Sequence, residues 1–215
     1  MTELNVFVSV GGTATDRQEA FIRAVEERLR SEGLIPHTVG RNTFSTDAPL
    51  KTVTDLLNRC SGTLVIALER SYFPLGTERR GGPKETQLAE VKLPTPWNHI
   101  EAAMTYARGL PLMVIVEAGL KSEGLLERGF DWYVQWVQPE ASALHSPEFN
   151  GVLADWKQKM VQPTKKSLTA RAGAELTIAE LIGGLRPAQL WSVLVALATL
   201  VAGAFALGAK LFGTQ

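Results

Sequence analysis

Three short apolar runs limit what this chain can fold into: residues 5–10 (NVFVSV), 63–68 (TLVIAL) and 112–116 (LMVIV). The last two are continuously apolar, as strands covered on both faces are. Between the runs lie segments with helical spacing. Phe21, Ile22, Val25 and Leu29 follow a cap at Thr15 or Asp16 and stop at Gly33. Leu50, Val53, Leu56 and Leu57 follow Pro49. Residues 34–39 read as a second strand and residues 132–137 as a fifth. Residues 96–108 read as a helix that enters at Pro96 and ends at Gly109. Residues 149–160 form a last helix, with Val152, Leu153 and Trp156. Strands alternating with helices imply βαβ units. The sequence thus predicts an α/β, flavodoxin-like open parallel sheet of about five strands in the order 2-1-3-4-5, with helices on both faces. Residues 69–95, rich in Gly, Pro, Arg and Glu, read as a long irregular loop.

The C-terminal end is of another kind. Residues 190–209 (LWSVLVALATLVAGAFALGA) carry no charge, and about twenty such residues cross a hydrocarbon core as a helix. A buried soluble helix is the competing reading. Trp191 lies near one end of the run and Lys210 beyond the other, as in interface anchoring. Lys165, Lys166, Arg171 and Arg186 flank the N-terminal side, and positive charge favours the cytoplasmic face. The expected organisation is a domain at 1–161, a linker at 162–189 and a single-pass transmembrane helix at 190–212, with the N-terminal domain cytoplasmic and the lipid bilayer as a partner. Ala198, Ala202 and Ala206 make a small-residue stripe that suits self-association into a homo-oligomer.

Composition excludes several function classes. Lys+Arg 22 balances Asp+Glu 22 in 215 residues, so the electrostatic footprint of a nucleic-acid-coating protein is missing. Cys60 is the one cysteine, and His37, His99 and His145 lie far apart. No metal-ligand spacing results, so neither a metal nor a resident cofactor is expected.

In open α/β sheets ligands sit beyond the carboxyl ends of the strands, near the switch point. Gly11, Gly12 and Thr13 follow the first strand and let backbone approach a phosphate or sugar closely. The competing reading is a tight strand-to-helix turn, since neither a P-loop nor G-x-G-x-x-G is present. Glu101 lies in the early turns of the 96–108 helix, with Trp97 one turn before it. A carboxylate beside an indole suits a nucleoside: the ring stacks on a base, and the carboxylate holds ribose hydroxyls or an oxocarbenium-like centre. Against this stands the ordinary preference of a helix N-terminus for an acidic residue. Arg70, Arg79, Arg80 and Lys84 form a basic cluster diluted by Glu69, Glu78 and Glu85. It reads either as a clamp on a diphosphate or as a solvated, ion-paired surface.

With NVFVSV first, LVIALERSYF across the third strand and PWNHIEAAMTYARGLPLMVIV later, residues 5–137 resemble a TIR-type domain of the TIR and nucleoside 2-deoxyribosyltransferase superfamily. Such domains carry a Ser-x-x-aromatic stretch, then W-C-x-x-E on the next helix, then Gly-x-Pro before an apolar strand. Here Ser71-Tyr72-Phe73, Trp97-Asn98-His99-Ile100-Glu101 and Gly109-Leu110-Pro111 take those places, with Asn98 in place of the cysteine. The resemblance implies that Glu101 is the catalytic residue in cleaving NAD at the nicotinamide–ribose bond, with NAD as substrate rather than cofactor. It implies that Phe7, Ser9, Gly11, Gly12, Thr13, Ser71, Trp97 and Asn98 bind the substrate. It further implies a mobile loop at 40–49. A 2-deoxyribosyltransferase-like enzyme and a non-catalytic nucleotide-sensing signalling module are the alternatives.

Overall fold

A computed structural model describes residues 4–129 and 132–162. The expected linker and membrane span, 162–189 and 190–212, lie outside the described residues apart from Gln162. Among the described residues no helix is long and apolar enough to cross a membrane.

The elements are β1 (Leu4–Val10), α1 (Asp16–Ser31), β2 (Leu34–His37), α2 (Pro49–Leu57), β3 (Gly62–Ala67), β4 (Ser71–Glu78), β5 (Thr86–Leu93), α3 (Pro96–Ala107), β6 (Leu112–Glu117), β7 (Tyr133–Val137) and α4 (Pro147–Val161). Five strands form one sheet in the order β2-β1-β3-β6-β7. Every neighbouring pair is parallel. With the β4–β5 pair set aside, this is the predicted 2-1-3-4-5 order.

The period-two pleat sorts side chains onto the two faces. Val6, Val8, Leu64, Ile66, Met113 and Ile115 pack against Phe21, Ile22 and Val25 of α1 and Phe149, Leu153 and Trp156 of α4. On the opposite face Val65, Ala67, Val114 and Val116 pack with Ala102 of α3. There also Phe7 meets Val53, Leu56 and Leu57 of α2 and the buried Cys60. Burial pushes the Cys60 thiol up to about 11, which makes it an inert packing group.

Capping follows the sequence signals. The Thr15 hydroxyl accepts from the Gln18 N–H at 3.2 Å. Pro49, Pro96 and Pro147 each open a helix in its first turn, where the missing N–H has no cost. Gly33, at φ 78°, turns the chain from α1 into β2.

One expectation is corrected. Residues 69–95 are not an irregular loop: β4 and β5 form an antiparallel hairpin running from Ser71↔Leu93 to Glu78↔Thr86. Arg79, Gly81 and the turn between the strands take left-handed backbone where it is needed. The hairpin escapes a sequence reading because neither of its faces is fully covered. Tyr72 and Phe73 are each half exposed and Leu75 is largely exposed, so no alternation of apolar and polar residues marks the strands.

Candidate active site

The site lies where the chain reverses direction across the sheet, between the carboxyl ends of β1 and β3. Gly11 and Gly12 leave β1, Leu68, Glu69 and Arg70 leave β3, and Thr95 and Asn98 come from the start of α3; together they wall a crevice of about 10 Å³. That is room for about one water molecule. Gly11 is a glycine for a steric reason: a Cβ there would stand 3.0 Å from Thr95 Cγ2. At Gly12 an added Cβ would meet nothing within 4 Å.

The wall contributed by β3 is pinned. The Glu69 N–H donates to Glu117 Oε2 at 2.8 Å, and the Glu69 carbonyl accepts from Gln18 Nε2 at 2.9 Å. Its carboxylate holds Lys92 at 2.7 Å. Arg70, next along, is exposed, and no described carboxylate pairs with its guanidinium. A cation at the mouth of a crevice with two glycine backbones on the other wall can receive a phosphate.

Glu101 is one turn deeper on α3 and is only 8% exposed. Burial pushes its carboxyl up to about 7, opposed by a hydrogen bond from the Ser9 hydroxyl. No cation pairs with it among the described residues. Ser9 itself is buried, and Asn98 Nδ2 lies 3.1 Å from its Oγ. Because a hydroxyl has one proton to give, Ser9 accepts from Asn98 and donates to Glu101. Asn98 Nδ2 also lies 3.3 Å from the Ser9 carbonyl and 3.5 Å from that of Ile66. The backbone beneath Glu101 is fixed as well: the Thr105 hydroxyl bonds to the Glu101 carbonyl at 2.8 Å and lies 2.9 Å from Thr63 Oγ1.

Such an arrangement can do one kind of chemistry well. A carboxyl poised near neutrality in a dry setting stabilises positive charge developing beside it, or delivers a proton. No imidazole stands among the walls. His99 turns to the other side of α3, its Nδ1 3.3 Å from where a Cβ on Gly124 would lie.

Of the sequence-derived candidates, the structure brings Gly11, Gly12 and Asn98 to the crevice; Ser9 and Glu101 are not among its walls, and Ser9 is tied to them through Asn98 Nδ2 at 3.1 Å. Phe7 is two residues down β1 from Ser9, in the hydrophobic cluster against α2. Trp97 is 39% exposed and does not wall the crevice. Ser71 opens β4 beside Arg70 without joining the walls. Thr13 donates to Glu19 Oε2 at 3.0 Å, which ties it to α1. Of the basic cluster, Arg70 alone reaches the crevice. Arg79, Arg80 and Lys84 lie at the far end of β4, about 23 Å of strand away. Leu68, Glu69 and Thr95 were not among the candidates. Thr95 had a sequence signal, a hydroxyl residue just before the helix-opening Pro96, and its hydroxyl does accept from the Trp97 N–H at 3.4 Å. Glu69 had none, since its partners come from α1, β5 and β6.

The loop after β2 is latched onto α1. Arg41 grips Glu19 with two bonds of 2.9 and 3.0 Å and lies 3.3 Å from Glu26. Chiefly through Arg41, and then Arg23, the Glu19 carboxyl is held down at about 2.

No protein-family model matches the chain, and no curated protein matches it. Among solved structures it is similar to the CMP N-glycosidase BcmB of Clostridium botulinum, with 15% sequence identity and a TM-score of 0.41, over 64% of this chain and 91% of that one.

Proposed function

We propose that this chain cleaves the N-glycosidic bond of a nucleotide, with NAD, the substrate implied by the resemblance to TIR-type domains, as the one to test first. One observation carries the reading: Glu101, a buried carboxyl with no counter-cation among the described residues, stands one helical turn beyond Asn98, which walls a crevice at the switch point of a parallel sheet. Such a carboxyl favours a cationic sugar. Arg70 and the Gly11-Gly12 backbone take the diphosphate.

In this mechanism the C1′–N1 bond of NAD breaks with its electron pair going to the pyridinium nitrogen, so nicotinamide leaves neutral and needs no proton. The positive charge passes to C1′ and its ring oxygen, where the Glu101 carboxylate faces it. Water then adds to C1′ and loses its proton to that carboxylate and onward to solvent, giving ADP-ribose. The Ser9 hydroxyl stabilises the ionised carboxylate throughout.

The uncharged run at 190–209 supports holding the domain at a bilayer on the cytoplasmic side, and the alanine stripe within it supports a homo-oligomer. The narrowness of the crevice favours a second reading, in which the domain binds a nucleotide and signals without cleaving it.

The test is incubation of the full chain with NAD, following free nicotinamide by chromatography. Release that disappears in Glu101→Gln supports the glycosidase. Release that persists unchanged in that variant removes the role of Glu101. Tight NAD binding with no release, even at high protein density, favours the sensing module.

A further inference from the structure

We propose that Asn98 selects ribose over 2′-deoxyribose, its Oδ1 accepting a hydrogen bond from the hydroxyl on the sugar carbon beside the cleaved bond. The identity of that carbon rests on the N-glycosidase reading; the need for a donor rests on the amide alone.

The orientation of the amide is fixed from both sides. Asn98 Nδ2 faces the carbonyls of Ser9 and Ile66 at 3.3 and 3.5 Å. Carbonyls only accept, so the nitrogen must lie there and the oxygen cannot. Ser9 Oγ lies 3.1 Å from Nδ2 and can accept from it. The amide oxygen is therefore turned away from the sheet. It is buried and has no hydrogen-bond partner among the described residues, on a residue 1% exposed that walls the crevice. Buried acceptors without a donor are rare, and the crevice is the side from which one can arrive.

The donor's class follows from its neighbours. Asn98 and Glu101 are three residues apart on α3, so their Cβ atoms are about 5–6 Å apart on one face. A sugar whose C1′ meets the carboxylate presents its 2′ position within reach of Asn98. A ribose carries a hydroxyl there and satisfies Oδ1. A 2′-deoxyribose leaves the acceptor buried and unpaired, the situation in which a polar site discriminates most strongly. The same feature argues against a 2-deoxyribosyltransferase.

The test compares NAD with its analogue lacking the 2′-hydroxyl on the nicotinamide ribose. Binding to the full chain is measured by calorimetry in a Glu101→Gln background, and nicotinamide release is measured separately with Glu101 present. With Asn98 in place, the analogue is expected to bind at least about tenfold more weakly. Asn98→Ala is expected to bring the two within about twofold. Circular dichroism checks the fold, and Asn98→Cys replaces the alanine variant should that unfold. Equal binding with Asn98 present, no binding of either compound, or a preference that survives in a folded Asn98 variant overturns the assignment. A preference that follows Asn98 without nicotinamide release overturns the glycosidase reading and leaves the ribose assignment standing. Release without preference does the reverse.

Discussion

Asn98 Nδ2 lies 3.1 Å from Ser9 Oγ, and this contact passes from α3 to β1 and back to Glu101 on α3. The helix and the strand thus hold the carboxyl jointly. Its protonation depends on both, which gives the site measurable consequences.

The first concerns pH and rate. The ionised form of Glu101 is the one that faces a cationic sugar, and its carboxyl is raised to about 7 by burial. Nicotinamide release from NAD should climb with pH, with a midpoint near 7, and level off above it. A stopped assay from pH 5.5 to 8.5 measures this. A rate that falls over that range would mean that the protonated acid does the work.

Stability should run the opposite way. The folded state keeps the Glu101 proton up to about 7, whereas an unfolded carboxyl loses it near its ordinary value of about 4.3. Between those values the native state binds more protons, so stability falls as pH rises and is lowest above 7. The penalty is on the order of 3 kcal/mol. Glu101→Gln should therefore abolish turnover while raising the melting temperature at pH 8 by several degrees, with little change at pH 4.5. Melts of both proteins at the two pH values decide it.

Ser9→Ala removes the one interaction that lowers the Glu101 carboxyl. The midpoint of the rate profile should move upward by up to about one pH unit. The lost buried hydrogen bond should cost about 1 kcal/mol of stability. An unshifted midpoint in a folded Ser9→Ala protein would mean that Ser9 does not act on the carboxyl.

The two glycines should separate cleanly. Gly11→Ala puts a methyl 3.0 Å from Thr95 Cγ2, and should reduce kcat/KM by about tenfold or more through a tighter crevice. Thr95→Ser removes that methyl while keeping the helix cap, and should restore most of the loss. Gly12→Ala meets nothing within 4 Å and should leave the melting temperature unchanged, so that a loss of NAD binding in this variant reports the diphosphate contact alone.

The Arg41–Glu19 pair should be felt in acid. With the Glu19 carboxyl held at about 2 by Arg41, its contribution is complete above about pH 4.5 and disappears as pH falls toward 2. Arg41→Ala should destabilise by about 1 kcal/mol at pH 7, after allowance for solvent screening, and by almost nothing at pH 2. Denaturant midpoints of the two proteins at each pH give the difference.

The sequence determined the parallel sheet. Runs such as TLVIAL and LMVIV have one stable solution, strands covered on both faces, and the helical segments between them force crossovers and hence the strand order. It also placed Gly11, Gly12 and Asn98 at the end of the sheet where the crevice lies, because that position follows from topology. Tertiary structure decided how the candidates are used. Trp97 and Glu101 lie one helical turn apart in sequence, yet the structure exposes one and buries the other, since α3 meets the sheet along a single stripe. The same packing drew Phe7 into the core against α2 and left the β4–β5 hairpin with faces too exposed to leave a pattern. Above all, the protonation of Glu101 and the unpartnered oxygen of Asn98 depend on groups from β1 and β3 that are distant in sequence. Desolvation and hydrogen-bond satisfaction belong to the assembled interior, and no local pattern of residues records them.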